Sequence, residues 1–391
     1  MSEQDKPAEQ RQAHAPVPMG KVAALRTRPE TVIEDLKQAM ELAGFRAALP
    51  REHPTLLKIN ISWHHYYPGC STTPWQFDAV TQALREDGRP PEELIPAQNS
   101  TVVVDPKVGS INNHLAPVAR KHGLEFVWLQ EPQHEWIIYE PKGEMLCLPE
   151  IFPDGIEIPR MFIGKNAVHL PTVKTHVFTT TTGAMKNAFG GLLNLNRHWC
   201  HARIHESLVD LLTIQKELHP GLFAVMDGTV AGSGPGPRCM VPHIKNVILA
   251  SADQVAIDAL AAKMMGFEPM KLDYLRLAHE RGLGIGDPAA IEVLGDPSLA
   301  EESWGFTVGD TFASRGQKCI YHGWLKPFER LLLRTPIVPW SYAASKLYHD
   351  VYWFPCVGRK RVQEVLDSPW GELFRSYGQV EPEGQAGGGQ P

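Results

Sequence analysis

Lysine, histidine and threonine are concentrated beside an apolar strand in residues 169–191, which read HLPTVKTHVFTTTTGAMKNAFGG. A threonine at the start of the following helix would leave backbone N–H groups and the positive end of the helix dipole directed at a ligand. With lysines nearby, this pattern favours a carboxylate or phosphate. We therefore predict Lys174 and His176 as catalytic residues. The predicted substrate-binding residues of this segment are Thr181, Thr182, Lys186 and Asn187. The alternative is that the threonines only cap the helix and the lysines lie on the surface.

Three histidines follow in the segment NRHWCHARIHES, residues 196–207. His198, His201 and His205 share one face if this segment is helical, because they are spaced i, i+3 and i+7. Three imidazoles on one face can bind a divalent metal or an anionic substrate. The protease motif HExxH is absent, so the pattern does not support zinc-protease chemistry. Accidental spacing of surface histidines is the alternative.

A glycine-rich stretch, VMDGTVAGSGPGPR, occupies residues 225–238. It superficially resembles a dinucleotide-binding fingerprint, but that fingerprint needs a helix directly after the glycines, and Pro235 and Pro237 stand there instead. We predict a flexible loop that brings Asp227 and Arg238 over the site as substrate-binding residues.

Asp258 lies in an otherwise apolar helical segment, residues 255–262, and is therefore expected to be buried. A buried carboxylate needs a partner or an altered pKa. Two interpretations stay open: Asp258 is a strut bonded to backbone or lysine, or it orients a catalytic group and belongs to the catalytic set.

A further polar cluster is KINISWHHYYPGC, residues 58–70. Lys58 is predicted to bind substrate from the end of a strand. His64, His65, Tyr66 and Tyr67 are acid–base candidates in the loop beyond it, and ordinary loop packing accounts for them equally well.

Strand-like and helix-like segments alternate along the chain, which predicts an α/β fold with a mostly parallel sheet and helices on both faces. The predicted strands span residues 56–61, 101–105, 125–129, 167–173, 222–227 and 246–251, and the predicted helices span 74–86, 113–122, 183–195, 202–218 and 253–265. Ligands in such folds bind at the carboxyl ends of the strands, where most of the polar clusters above fall.

The 391 residues carry a formal net charge of -6 and no long basic run, so nucleic-acid binding is not expected. No two of the six cysteines form a CxxC pair, so spacing indicates neither a zinc knuckle nor a ferredoxin-type iron–sulfur motif. The first residues lack the features of a signal peptide, and no apolar run reaches membrane-spanning length, so we expect a cytoplasmic protein without a transmembrane segment.

We predict four regions: a disordered segment at 1–20, an α/β core at 21–300, an aromatic C-terminal extension at 301–380 and a disordered tail at 381–391. The extension is interpreted either as an arm that packs over the core or as an amphipathic element that contacts a membrane surface through residues 322–370. A homo-oligomer and a redox partner are also considered.

Three motifs in order, LPTVKTHVFTTTTGAMKNAFGGL, VMDGTVAGSGPGPR and NVILASADQVAIDALAAKMMGF, resemble the family called domain of unknown function 362, over roughly residues 55–300. The resemblance implies a site built from Lys58, Lys174, His176, Lys186, Asp227 and Asp258. Many members of that family carry a ferredoxin-like module with two iron–sulfur clusters, which implies redox-linked chemistry. This chain departs from them, because it has no CxxCxxCxxxC run.

Together these patterns predict an enzyme that acts on a small anionic metabolite or biosynthetic intermediate. Its chemistry would be lysine and histidine acid–base catalysis or metal-assisted, redox-linked catalysis, of the oxidoreductase or the isomerase/lyase type. The cofactor is not specified, and a divalent metal at His198, His201 and His205 is one hypothesis. The alternative is a non-catalytic protein that binds a cofactor or intermediate and docks through its aromatic C-terminal segment.

Overall fold

The computed structural model describes residues 19–101, 103–321, 323, 326–328 and 339–379. The sequence predicts disorder at 1–20 and 381–391. Of these residues, 1–18 and 381–391 lie outside the described ranges. Trp324 also lies outside them.

Strands and helices alternate along most of the chain. The strands are β1 (Lys21–Arg26), β2 (Thr55–Lys58), β3 (Leu94–Gln98), β4 (Val127–Trp128), β5 (Trp136–Tyr139), β6 (Ile156–Pro159), β7 (Asn166–His169), β8 (Thr172–His176), β9 (Thr180–Thr181), β10 (Leu222–Ser233), β11 (Val241–Ser251) and β12 (Glu292–Gly295). The α-helices are α1 (Val32–Leu42), α2 (Phe45–Ala48), α3 (Pro74–Glu86), α4 (Pro106–Asn112), α5 (Leu115–Lys121), α6 (Leu148–Ile151), α7 (Ala184–Leu192), α8 (Ile204–Leu218), α9 (Gln254–Met265), α10 (Asp273–Glu280), α11 (Phe312–Tyr321), α12 (Pro339–Lys346), α13 (Arg359–Leu366) and α14 (Pro369–Tyr377). A long 3₁₀-helix spans Leu195–Arg203 and a π-helix spans Leu347–Gly358, and short 3₁₀ turns span Pro91–Glu93, Arg160–Phe162, Pro269–Lys271, Pro288–Ala290, Pro297–Glu301 and Lys326–Phe328.

The central sheet is mostly parallel, as predicted. Within the described residues it has ten strands, of which eight follow the order β12-β1-β11-β10-β7-β2-β3-β4. β11 runs antiparallel to both of its neighbours, β1 and β10. β2, β3, β4, β7 and the first part of β10 are parallel to one another. The helices pack against this sheet through buried apolar clusters, which confirms the predicted α/β class.

Two helices begin and end where the sequence predicts them. Thr73 caps α3 with a reciprocal bond to Gln76, and Pro occupies the first turn. Asp253 caps α9 by accepting the N–H groups of Val255 and Ala256, and Gly266 ends that helix in the left-handed conformation. Local sequence therefore determines the bounds of these two helices.

One predicted strand is displaced. The valine-rich residues 101–105 were expected to form a strand, but Thr101 and Val104 make only an isolated bridge, and Asp105 caps α4. The strand of this region is β3, which lies earlier and contains Pro96. The predicted helix at 113–122 is also shorter, because His114 is left-handed and separates α4 from α5.

The loop predicted to follow the strand at 222–227 is itself strand as far as Ser233. β10 continues to Ser233, beyond the point where β7 ends, and pairs with β11 along this length. Leu170 and Pro171 interrupt the strand between β7 and β8. β8 then pairs with the extension of β10, which places Lys174 opposite Gly232. β10 therefore provides a support for β8 above the edge of the main sheet.

The C-terminal helices pack onto the core, as the first interpretation of the aromatic extension expects. Trp370 is buried and its Nε1 donates to Asn246 Oδ1 at 2.7 Å. The Tyr377 hydroxyl bonds to Asp78 at 3.0 Å, and Phe374 stacks on Tyr66 with ring centroids 3.7 Å apart. Of the helices in the described ranges, each is too short or too polar to cross a membrane.

Candidate functional site

A cavity of about 310 Å³ lies at the carboxyl ends of β2 and β3, where the strand topology predicts a ligand site. Lys58 ends β2, Gln98 ends β3 and His176 ends β8. Further walls come from α7, from the 3₁₀-helix Leu195–Arg203 and from the loop after β10. Its volume falls at the lower end of the range of small-molecule sites.

The walls of this cavity carry positive charge. Five cationic side chains line it: Lys58, Lys174, Lys186, Arg197 and Arg238. None of the described residues that line it is Asp or Glu. Carboxylates normally neutralise such a cluster, and none lies in these walls to neutralise the side chains that are protonated.

Lys174 is held by neutral groups. Its ammonium donates to the Cys70 carbonyl oxygen, to Thr172 Oγ1 at 3.0 Å and to Ser62 Oγ at 3.3 Å. These three acceptors account for its three N–H groups. Burial lowers the pKa of Lys174 to about 8. Lys174 is therefore positioned by its neighbours, and its charge rather than a free N–H group is what it presents to the cavity.

Lys58 is buried in a similar way. Its ammonium donates to the Ile59 carbonyl oxygen and to Gln98 Oε1. Burial, with a contribution from Arg197, lowers the pKa of Lys58 well below its usual value. In the protonated form, one of its three N–H groups is left for a ligand.

Lys186 and Arg238 differ from the other cations. Within the described part of the chain, neither the Lys186 ammonium nor the Arg238 guanidinium makes a hydrogen bond or an ion pair, although Lys186 lies 5.2 Å from the centroid of the Phe189 ring. Burial, Lys174 and Arg197 lower the pKa of Lys186 to about 7. Their N–H groups are therefore available to bind an anion, and Lys186 can exchange a proton near neutral pH.

The fifth cation, Arg197, was not predicted from the sequence. Its guanidinium donates to the carbonyl oxygens of Asn194 and Ser100, at 3.2 Å and 2.6 Å. Burial lowers its pKa to about 10. Arg197 precedes His198 in the histidine-rich motif, so this motif lines the cavity through an arginine as well as through His198 and His201.

His176 has a defined tautomer. Its Nδ1 accepts the backbone N–H groups of Phe178 and Thr179, at 3.2 Å and 3.4 Å. Burial and the nearby Lys186 hold its pKa well below the usual range, so the ring is neutral. In the neutral ring the proton is therefore on Nε2. His176 lines the cavity as a hydrogen-bond donor, suited to polarise a substrate oxygen.

The three histidines of the metal hypothesis are placed differently from one another. His198 and His201 line the cavity, on a 3₁₀-helix in which residues i and i+3 are eclipsed. His205 belongs to α8 and accepts the Tyr274 N–H at its Nδ1. Burial lowers the pKa of His201 to about 3, and its Nδ1 donates to the His198 carbonyl oxygen, which leaves Nε2 as an acceptor.

Asp258 occupies the N-terminus of α7. Its carboxylate accepts the N–H of Ala184 at 2.6 Å and that of Met185 at 3.1 Å. Burial raises the pKa of Asp258 to about 8. The helix therefore begins after Gly183 rather than at a threonine cap, and these two N–H groups are not available to a ligand. Asp258 does not line the cavity, and it acts as a strut that seats the helix carrying Lys186.

Of the predicted substrate-binding residues, two lie away from the cavity walls. Asp227 is buried and accepts the Thr73 hydroxyl, Trp75 Nε1 and the Thr229 N–H. Thr181 bonds to the Tyr274 hydroxyl at 2.7 Å. The other predicted residues, Thr182 and Asn187, line the cavity beside the cations.

The C-terminal segment completes the cavity. Tyr321 of α11, Ser345 of α12 and His349 of the π-helix line it. Burial and Arg238 lower the pKa of His349 to about 4, and its Nδ1 bonds to the Ser345 carbonyl oxygen at 2.8 Å. No local pattern in the sequence indicates this wall, because its residues come from a segment far along the chain.

Comparison with known families gives a match to the model of a domain of unknown function (DUF362) over residues 55–263, more than half of the 391 residues. The chain belongs to this family. In this DUF362 chain the matched region contains all five cations and His176. The wall formed by Tyr321, Ser345 and His349 lies beyond it.

A curated relative in Synechocystis, the thylakoid-associated protein sll1697, is 28% identical over 130 residues. The alignment spans 32% of this chain and 39% of that protein, so the similarity covers only part of each. No solved structure gives a significant match to this DUF362 chain.

The contact between Gly183 and Asp258 leads to a stability prediction. Gly183 has φ 104°, and a Cβ at this position would lie 2.2 Å from a carboxylate oxygen of Asp258. We expect Gly183→Ala to lower the free energy of unfolding by at least about 3 kcal/mol, from backbone strain and the displaced carboxylate together. Urea denaturation followed by circular dichroism measures this loss.

The matched control is Gly164→Ala. Gly164 also has a positive φ, 73°, but nothing lies within 4 Å of the added Cβ. It should therefore lose only about 1–2 kcal/mol, the cost of a left-handed backbone alone. Equal losses in the two variants would show that the Asp258 contact does not seat α7.

Proposed function

We propose that this protein is an enzyme that acts on a small anionic metabolite, with Lys186 exchanging a proton with the substrate. The observation that carries the proposal is the set of five cations around a cavity of about 310 Å³ whose described lining residues include no carboxylate. Such a cavity favours ligands that bring negative charge, and its size favours a small molecule.

The five cations differ in how many of their N–H groups are already bonded to the protein. Lys174 has all three N–H groups bonded to protein oxygens and contributes mainly charge, whereas Lys58 and Arg197 are bonded through two N–H groups each. Lys186 and Arg238 keep their N–H groups for the ligand. We infer that the guanidinium of Arg238 holds a carboxylate or phosphate, because its planar fork matches both groups.

Acid–base chemistry at neutral pH is supported by Lys186. An amine with a pKa of about 7 is present both as base and as acid near that pH, which is what a proton-transfer step requires. His176 would donate its Nε2–H to an oxygen of the substrate where negative charge develops. This combination suits a reaction of the isomerase or lyase type.

A second candidate is a non-catalytic protein that binds an anionic intermediate and docks on a membrane surface through the C-terminal segment. It is favoured by three apolar side chains on the π-helix, Leu347, Val351 and Tyr352, which are 61–64% exposed. The name of the Synechocystis relative, a thylakoid-associated protein, agrees with such a location. The packing of α14 onto the core favours the first candidate.

Sulfate is a suitable first probe, because it stays dianionic over the whole working pH range. We expect Lys186→Met and Arg238→Met each to weaken sulfate binding by about 10- to 100-fold, since each removes a charge-assisted hydrogen bond. Isothermal titration calorimetry measures the affinity. The control is Lys271→Met, an exposed lysine paired with Glu268 outside the cavity, which should bind sulfate as the wild type does.

A conservative variant distinguishes an enzyme from a non-catalytic protein that only binds the anion. Lys186→Arg keeps the positive charge but cannot lose its proton near neutral pH. It should retain sulfate binding while losing any turnover of anionic metabolites that mass spectrometry detects with the wild type. Turnover that survives in Lys186→Arg would contradict the acid–base role of Lys186. Unchanged sulfate affinity in Lys186→Met and Arg238→Met would contradict the anion-binding site.

Sulfate affinity should also depend on pH. Since the pKa values of Lys186 and Lys174 are lowered to about 7 and about 8, both ammonium groups lose their protons as the pH rises through this range. The bound anion favours the protonated forms, so binding takes up protons. We expect constant affinity below about pH 6 and a decrease of up to about tenfold per pH unit for each lysine above its pKa. In Lys186→Met the decrease should begin about one unit higher, and equal affinity at pH 6 and pH 9 would contradict the proposed roles of the lysines.

Vesicle flotation tests the second candidate. If the first candidate is correct, the full chain should stay at the bottom of the gradient with vesicles of phosphatidylglycerol and phosphatidylcholine at low salt. Co-flotation that disappears in the double variant Leu347→Ser, Val351→Ser would favour docking through this segment instead. Thermal unfolding of the variant checks that its core is intact.

A further inference from the structure

A second group of chemically competent side chains lies outside the cationic cavity. His64 and His65, in the loop after β2, meet Asp350 of the π-helix, and one ligand atom from each lies within 4.8 Å of the others. His64 Nε2 is 3.4 Å from Asp350 Oδ2. For a tetrahedral ion with ligands at about 2.1 Å, the distance between two ligand atoms is about 3.4 Å.

The three side chains are oriented by further contacts. Trp63 Nε1 donates to the other carboxylate oxygen of Asp350, Oδ1, at 2.7 Å. The ring of His65 stacks on Phe354, with centroids 4.2 Å apart and planes at 9°. The His64 carbonyl oxygen accepts Asn112 Nδ2 at 2.7 Å, which holds the loop in place. Contacts of this kind orient the ligands of metal sites.

The group is also accessible. The side chains of His64 and Asp350 are each 19% exposed, so an ion can enter and water can complete its coordination. Two imidazole nitrogens and one carboxylate oxygen form a donor set that suits divalent first-row transition metals such as Zn²⁺.

We propose that His64, His65 and Asp350 bind a divalent transition-metal ion that ties the C-terminal π-helix to the loop after β2. The position of this helix matters to the cavity, because His349, the neighbour of Asp350, lines it. Metal binding therefore fixes one wall of the cavity without contributing to the proton transfer proposed above.

The alternative is a simple ion pair between His64 and Asp350 without a metal. The two interpretations differ in what His65 does, since an ion pair needs only one imidazole. The ring centroids of His64 and His65 are 4.4 Å apart. If both rings were protonated to pair with the single carboxylate of Asp350, the two positive charges would repel each other. A metal uses both rings in the neutral form.

The test is calorimetric titration of Zn²⁺ into the full chain, prepared without a polyhistidine tag and freed of metal by EDTA. We expect one Zn²⁺ per chain in the wild type. Asp350→Asn keeps an oxygen for Trp63 but loses the charge, and we expect this variant, His64→Ala and His65→Ala each to bind at least about tenfold more weakly. His134→Ala, a histidine outside the group, should bind as the wild type does.

Absence of stoichiometric binding in the wild type, or unchanged binding in His65→Ala, would overturn the metal site in favour of the ion pair. Limited proteolysis of the C-terminal segment tests whether the metal ion links the π-helix to the loop after β2. Zn²⁺ should slow cleavage at least severalfold in the wild type and not in Asp350→Asn. Binding without such protection would overturn the link to the cavity wall.

Discussion

Positive charge that is removed from water without a neighbouring carboxylate is the constraint on which the site depends. Lys174 is satisfied by carbonyl and hydroxyl oxygens, and Lys58 by a carbonyl and an amide oxygen. The buried acids of the same region, Asp227 and Asp258, are bonded to other groups, namely the start of α3 and the start of α7. Both arrangements stabilise the walls, and neither Asp227 nor Asp258 lines the cavity to compensate its charge. Such a site lowers the stability of the free protein, and the extensive apolar core on both faces of the sheet offsets that cost.

Sequence reasoning was most successful where the determining interactions are local. The bounds of α3 follow from Thr73 and Pro74, and those of α9 follow from Asp253 and Gly266. The alternation of strands and helices also located the cavity, because in parallel sheets the strand ends meet at one edge. For the same reason Lys58, Lys174 and Lys186 could be placed together from the sequence alone.

The predictions that differ from the structure depend on contacts between distant segments. Residues 101–105 have strand-forming side chains, but β3 takes the position between β2 and β4, although Pro96 cannot donate to a ladder. Residues 228–233 are predicted as a loop because glycine-rich segments are common in loops, whereas pairing with β11 keeps them extended. Arg197 and His349 reach the cavity through helices whose positions are set by packing, which no local pattern encodes.

The position of the first strand determines when the sheet can be completed. β1 lies between β11 and β12, although it precedes both by more than 200 residues. As the chain leaves the ribosome, β1 must therefore wait until residues 292–295 have emerged before both of its edges are paired. Until then one side of β1 is unpaired, the kind of strand edge that other unfinished chains can join.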